Sequence, residues 1–493
     1  MGAPIGIVSM VMRPAKSAGL MHGHRTGVRV IGLLTCIFFF AIAAGTNWLL
    51  GGLAGGILFL GIPMLWRPGE SPVLLMMFTF QWLEVNLILY HATIVGLPIE
   101  VLGSYAGSSG DLPMAIKLGN IALLFLAIGF RVGMGPASPS LVRSAVDQAR
   151  AEPLRVWVKL YLLALALSLV FSSIAHLSGA FYQLFYSATQ FFRWTFFFML
   201  TYVSFRRRPA WIYWWLFFAF EVFFSIGAFF SEFATVFFMT LFALIASVGR
   251  ITSRSIRPFV VVFTLMLMFA MVWTMIKGDY RAFVNKGTGQ QVVLVDRTQQ
   301  LNKITELSLG GAVVSVEALE RLANRIEYVT FFGIVLDVVP KLVPHANGQI
   351  WSDALLRPFM PRLLFPGKSA IDDSDRSREY TLRNMATAAQ GTSISLGYVA
   401  ESYIDFGIPW MFSPIFMLAV AIGYMFRWLQ HAPLRQGVWR MGLASVAVFP
   451  FFDFGTSITK SAGALVLSAL IGWIFVRFSL QALILWVGKT VRL

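Results

Sequence analysis

Apolar residues recur along this chain in blocks long enough to cross a bilayer, each closed by basic residues, prolines or glycines. Twelve such blocks are predicted as membrane helices: 28–45, 48–66, 72–95, 114–133, 156–174, 181–204, 210–230, 232–249, 257–276, 408–428, 438–457 and 462–484. At about 1.5 Å rise per residue, about 20 residues cross a hydrocarbon core of roughly 30 Å. The first and eighth blocks are short, so that one pair of helices is also compatible with a re-entrant arrangement. The pattern divides the chain into an N-terminal bundle (1–276, about nine spans), a long polar interval (277–407) and a C-terminal group (408–493, about three spans).

Inside the polar interval, the stretch from Ala312 to Thr330 reads as an amphipathic helix. Val316, Leu319, Leu322, Ala323, Ile326 and Val329 form its apolar face, which either packs on the interval's own core or lies on the membrane surface. The prolines at 358, 361 and 366 exclude a regular helix between Arg357 and Lys368. The acidic run Asp372 to Asp375, followed at once by Arg376 and Arg378, reads as a solvated turn. From Ala386 to Phe406 the chain returns towards the membrane as a helix broken near Gly391 or Gly397.

Composition agrees with the pattern. The 493 residues are 57% hydrophobic and 13% charged, about half the charged share of a soluble domain. The fold class is therefore an all-α polytopic membrane protein. The net charge of +16 does not point to nucleic acid, because the basic residues close apolar blocks instead of forming one patch. The interval 277–407 holds 14 Lys+Arg and 14 Asp+Glu, so the whole surplus lies elsewhere. With both termini cytosolic, the cytosolic segments carry 22 Lys+Arg, whereas the short external turns carry only Lys117 and Lys460. By the positive-inside rule this places the long loop outside the cytosol. In a bacterium that means a multi-pass inner-membrane protein with a large periplasmic loop. Residues Val30 to Ala44 have the outline of a signal peptide, but another apolar run follows at once, and an uncleaved anchor is expected. The single cysteine, Cys36, excludes an internal disulfide and a cysteine metal cluster.

Candidate chemistry is sparse within the spans and dense in the loop. Arg193 and Glu221 lie 14 residues on either side of Arg207, at matched depth in one antiparallel hairpin. They read either as a structural ion pair or as the lining of a polar cavity. Glu84, with Asn86 and His91 on the same predicted helix, is open to both readings. No zinc-protease, P-loop, nucleophile-elbow or calcium-loop pattern occurs, and no metal or cofactor is expected. Arg281, Arg357, Arg362, Lys368, Arg376, Arg378 and Arg383 remain as candidate ligands for diphosphate or glycan, with Tyr403 beside them. Arginine holds phosphate through a planar fork and keeps its charge at any relevant pH. Each taken singly also fits a solvated or paired surface role. Fixed guanidinium groups can stabilise the charge that builds on a diphosphate leaving group, and Glu401 or Asp405 is then the candidate base for an attacking hydroxyl.

The run Met360, Pro361, Arg362, Leu363, Leu364, Phe365, Pro366, Gly367, Lys368 resembles the "PR-x-x-x-P-x-K" segment of Wzy-type O-antigen and exopolysaccharide repeat-unit polymerases. Ala400, Glu401, Ser402, Tyr403, Ile404, Asp405, Phe406, Gly407 resembles that family's "aE-x-Y-x-n-F-G" segment, with Asp405 where asparagine is frequent. The order of the motifs and the many-span, large-loop, few-span layout are similar as well. The resemblance implies a GT-C-like, metal-independent glycosyltransferase without a cofactor. Its catalytic residues would be Arg362, Glu401 and Asp405. Its substrate would be undecaprenyl-diphosphate-linked oligosaccharide, joined into O-antigen, capsule or exopolysaccharide at the periplasmic face. A polysaccharide chain-length regulator would be a further partner. Two rivals share the features: an O-antigen ligase, with the same donor and a different acceptor, and a transporter or flippase for lipid-linked sugars.

Overall fold

A computed structural model describes residues 45–483 together with Gly32, Thr35 and Leu485. Within that range 102–109, 174–181, 208–210, 226–232, 249–252, 289–292, 310–314, 361–364, 366, 369–371, 386–392 and 431–435 are left out. The expected first span, Cys36, Gly391 and Arg362 therefore lie outside the described residues. The described residues are helical wherever they are regular, with no strand among them.

The N-terminal half contains α1 (Trp48–Leu65), α2 (Val73–Val95), α3 (Leu112–Met134), α4 (Pro139–Ala151), α5 (Leu154–Ser173), α6 (Tyr182–Arg206), α7 (Trp211–Ser225), α8 (Phe233–Ser247) and α9 (Ser253–Val284). Local chemistry sets several of these ends. Asp111 accepts from Met114 N at 3.0 Å and starts α3 with Pro113 in the first turn; an acidic side chain there satisfies an otherwise orphaned N–H. Ser138 does the same for α4. Gly96, with φ at 78°, ends α2 in the left-handed conformation.

The loop contains α10 (Arg297–Leu309), α11 (Val316–Ile326), α12 (Val329–Val338), α13 (Gln349–Leu356), a 3-10 turn (Arg357–Phe359), α14 (Asp373–Thr381) and α15 (Tyr398–Phe406). The C-terminal group is α16 (Phe412–Gln430), α17 (Gly437–Val448), a second 3-10 turn (Phe449–Phe451) and α18 (Ile458–Ile474).

The protein is a helical membrane protein in which seven described helices are long and apolar enough to span: α1, α2, α3, α5, α9, α16 and α18. Of the five other expected blocks, the first lies outside the described residues and α6 covers another. α7 and α8 are described over 15 residues each, and at about 1.5 Å per residue such lengths alone do not cross a core of roughly 30 Å. α17 stops after 12 residues, just before Pro450. α9 runs through the expected boundary at Lys277 as far as Val284, so Lys277 and Arg281 sit on its last turns.

Two expectations inside the loop are corrected. Asp372 to Asp375 is no solvated turn. Asp372 accepts from Ser374 N at 2.9 Å and caps α14, with Asp373 and Ser374 buried in its first turn. The amphipathic helix is shorter than drawn and is rotated. Ala318 and Leu322 pack on Met271 of α9, whereas Val316 remains 75% exposed. Within the described part of 386–406 the returning helix is α15, entered through Gly397.

The longest packing seam joins α3 to α16, far apart in sequence. A Cβ on Gly133 would lie 2.3 Å from Val420 O, and one on Gly423 would lie 2.8 Å from Phe130 O. Only glycine permits this backbone approach, as in other membrane helix pairs.

Between α6 and α7, Arg193 Nε donates to Glu221 Oε1 at 3.1 Å and Arg193 Nη2 pairs with Glu221 Oε2. Tyr161 of α5 donates to Glu221 Oε1 at 2.6 Å. With Glu221 fully buried, removing either partner strands a charge, which typically costs about 3–5 kcal/mol. Arg193→Ala and Glu221→Ala should therefore each lower the yield of folded, detergent-extracted protein, and the charge-swapped double variant should recover part of it. Additive losses would show that the two residues act separately.

Candidate functional site

α15 carries the two acidic residues of the second motif, and the fold engages both. Glu401 is fully buried. Its Oε1 accepts from Arg376 Nη1 of α14 at 2.7 Å, and its Oε2 accepts from Ile458 N at the start of α18 at 2.7 Å. Burial pushes the Glu401 carboxyl up to about 7, a rise that Arg376 and the Ile458 N–H partly offset. Asp405 accepts from Ile350 N at 3.1 Å and Trp351 N at 2.8 Å, and so caps α13. Burial raises its carboxyl too, against those backbone bonds. Tyr403 donates to Val339 O at 3.0 Å. The motif thus ties α14, α13, α12 and α18 into one unit.

Several expected phosphate ligands are likewise bonded within the loop. Lys368 Nζ donates to Arg357 O at 2.6 Å and to Met360 O at 2.8 Å, which folds the proline-rich segment back on itself. Arg376 is held by Glu401, and Arg378 pairs with Asp375 on the same helix. Arg383 lies just past the C-terminus of α14.

A cavity of about 480 Å³ opens where the loop meets the bundle, within the usual range for small-molecule sites. Its lining includes apolar side chains, Phe80 of α2, Phe233 and Phe238 of α8, and Met266 and Trp273 of α9, together with the polar Glu84, Arg325, Tyr328, Ser393, Asp453 and Lys460.

These polar residues are brought together by the segment between α17 and α18. Pro450 ends the helical run, and Gln81 Nε2 then donates to Phe451 O at 2.9 Å. Phe454 N donates to Glu84 Oε2 at 2.8 Å, and Tyr398 N donates to Thr456 O at 3.0 Å. Gly397, with φ at +87°, lets α15 approach so closely that a Cβ there would lie 2.7 Å from Phe454 O. Ser457 donates to Asp373 Oδ2 at 3.0 Å and caps α18. Lys460 Nζ pairs with the same oxygen at 2.7 Å and donates to Ser393 Oγ at 2.9 Å.

Two groups at the cavity differ from this network. Asp453 is exposed where it lines the cavity, and no side-chain hydrogen bond or ion pair engages it among the described residues. Arg325 stands exposed at the rim, close enough to Lys277 and Arg281 of α9 for the three charges to repel one another. Such a cationic corner favours an anion.

No described residue of the two motifs lines this cavity. Sequence reading passed over Asp453, counted Lys460 only as an external-turn charge, and placed Arg325 on the polar face of a helix. One signal was available: Asp453 is the only acidic residue after Gly407.

A family described as a domain of unknown function (DUF8712) matches residues 128–458, which takes in α4 to α17, the loop and the segment that carries Asp453. Neither a curated protein nor a solved structure matches the chain.

Proposed function

The chain belongs to the family of that domain of unknown function, and for it we propose a polymerase of undecaprenyl-diphosphate-linked oligosaccharide repeat units, working at the periplasmic face of a bacterial inner membrane. The observation that carries this reading is the cavity whose lining combines aromatic and aliphatic side chains with cations, hydroxyls and carboxylates. A lipid-linked sugar diphosphate has an apolar tail, a dianionic link and a hydroxyl-rich head. Phe80, Phe238, Met266 and Trp273 suit the tail-proximal isoprenes, and Arg325 and Lys460 suit the diphosphate. The serine, threonine and carboxylate groups beyond them suit sugar hydroxyls. In this reading Glu401, Asp405, Arg376 and Lys368 hold the site together instead of touching substrate, and Arg362 keeps the role that its motif implies.

The test is reconstitution. Purified protein in lipid nanodiscs is given lipid-linked single repeat units from a host strain that lacks it, with no other acceptor. A ladder of longer lipid-linked chains is the expected product. Transfer only after adding a lipid A core acceptor would identify a ligase instead. In sealed vesicles, a change of sidedness with no new glycosidic bond would identify a flippase.

A further inference from the structure

We propose that the end of α13 and the 3-10 turn after it are seated in the bilayer surface, in the leaflet on the loop's side. The chain then enters the first motif at the height of the lipid headgroups, and the partner of this surface is phospholipid. The inference rests on the membrane fold alone and holds whether or not the protein is a polymerase.

The observation is an apolar cluster within the interval that reads as polar. Leu355, Leu356 and Phe359 are 52%, 62% and 71% exposed, and Met360 and Phe365 follow them as exposed residues. Lys368 Nζ reaches back to Arg357 O and Met360 O, so the stretch is folded and holds these side chains outward. Large exposed apolar patches mark contact with another surface.

The position of the cluster says which surface. Ile350, Trp351 and Ala354 form the buried side of α13. At 3.6 residues per turn, Leu355 and Leu356 fall away from that side. α13 and the 3-10 turn both pack on α18, which is long and apolar enough to span. Asp405 ties the start of α13 to the end of α15, and Glu401 on the same short helix holds the start of α18. α13 therefore meets α18 near its loop-side end. α15 leads directly to Ile408 and Trp410, which are 52% and 70% exposed at the head of the spanning helix α16. Tryptophan at the end of a span belongs to the membrane–water boundary. The cluster thus adjoins two spans at that boundary, where lipid already covers the outward faces of the helices.

The charges fit a shallow seat. Arg357 and Lys368 bracket the cluster in the chain, and cations at this height attract anionic headgroups. Asp353 is exposed on the last turns of α13 and has to stay in water. Only the side chains of the cluster then pass below the headgroups, as in helices that lie in the interface with their apolar side roughly 5–10 Å deep. An anion anchored by its own lipid tail lies at this height, and the segment meets it without lifting it from the bilayer.

The test uses the full-length protein with its single cysteine replaced, Cys36→Ser, and with either Leu356→Cys or Phe359→Cys added. Both side chains are exposed, so neither change opens the core. Trp410→Cys serves as the boundary reference. Each protein is labelled with the environment-sensitive dye NBD and reconstituted into vesicles of phosphatidylethanolamine and phosphatidylglycerol. Emission from the labels at Leu356 and Phe359 should lie as far to the blue as emission from the label at Trp410. It should be quenched by lipids brominated near the top of the acyl chain, and not by iodide in the water. Quenching by iodide alone would show that the cluster stands in water and would overturn the proposal. Shielding from both quenchers would reveal a protein contact in place of lipid and would overturn it as well.

Discussion

Glu401→Ala is expected to separate the loop from the start of α18 and to give the largest loss of stability of any single substitution in the loop. The fully buried carboxylate bridges Arg376 of α14 and Ile458 N of α18. Its removal leaves a guanidinium and a backbone N–H without their acceptor. Because the Arg376 side chain is 24% exposed, part of its charge can hydrate, and the loss should fall near the lower end for buried pairs, about 3 kcal/mol. Melting in detergent and limited proteolysis between α14 and α15 read this directly. A double-mutant cycle with Arg376→Ala should give a clear coupling energy, and strictly additive losses would contradict the bridge.

The pH dependence of the same pair has a definite sign. The folded carboxyl sits near 7 and the ordinary value is 4.5, so the folded state holds this proton more tightly than the unfolded state. The group's contribution is fully present below about 4.5 and is lost as pH rises through about 7. Glu401→Gln cannot ionise, and its melting curve should lose that slope between the two values.

Arg325→Ala should have the largest effect on activity among the cavity cations. Arg325 stands at the rim on α11, which is fixed to α9 through Met271, Ala318 and Leu322. Loss of one charge-stabilising donor typically lowers rate by about 10²–10³. Arg325→Lys keeps the charge without the fork and should lie between wild type and Arg325→Ala. Cells carrying Arg325→Ala should make the protein at normal level and accumulate lipid-linked single units. A normal polymer ladder from purified Arg325→Ala protein would take this residue out of the site.

Hydrophobic periodicity made the helices legible, because burial in lipid leaves little room for another pattern. α2 and α6 lie within two residues of the expected blocks at each end. The matched depth of Arg193 and Glu221 was legible for the same reason: spacing from a shared turn becomes depth in a hairpin. The cavity was not legible, because it forms from three distant pieces. Glu84, Arg325 and Asp453 meet only when α2, the loop and the α17–α18 segment pack together. Asp453 was hidden inside an apolar block that reads as one span, and only Pro450 hints that the helix stops short of it. The pairing of the cationic residues was not legible either. Charge density in sequence does not say which charges the fold pairs, and Arg376, Arg378 and Lys368 each have a partner within the loop.

The glycine seam between α3 and α16 also sets a timetable. α3 leaves the ribosome early, and the helix that covers its Gly133 face is made only near the end of translation. Throughout that delay the N-terminal spans sit in the bilayer with a bare, backbone-exposed stripe. α4 waits as well, since Ala145 meets Gly437 at the start of α17. A nascent chain stopped anywhere before α16 therefore leaves that glycine face uncovered. The polar loop likewise gains its contacts with Ile458 and Lys460 of α18 only once the last spans have been made.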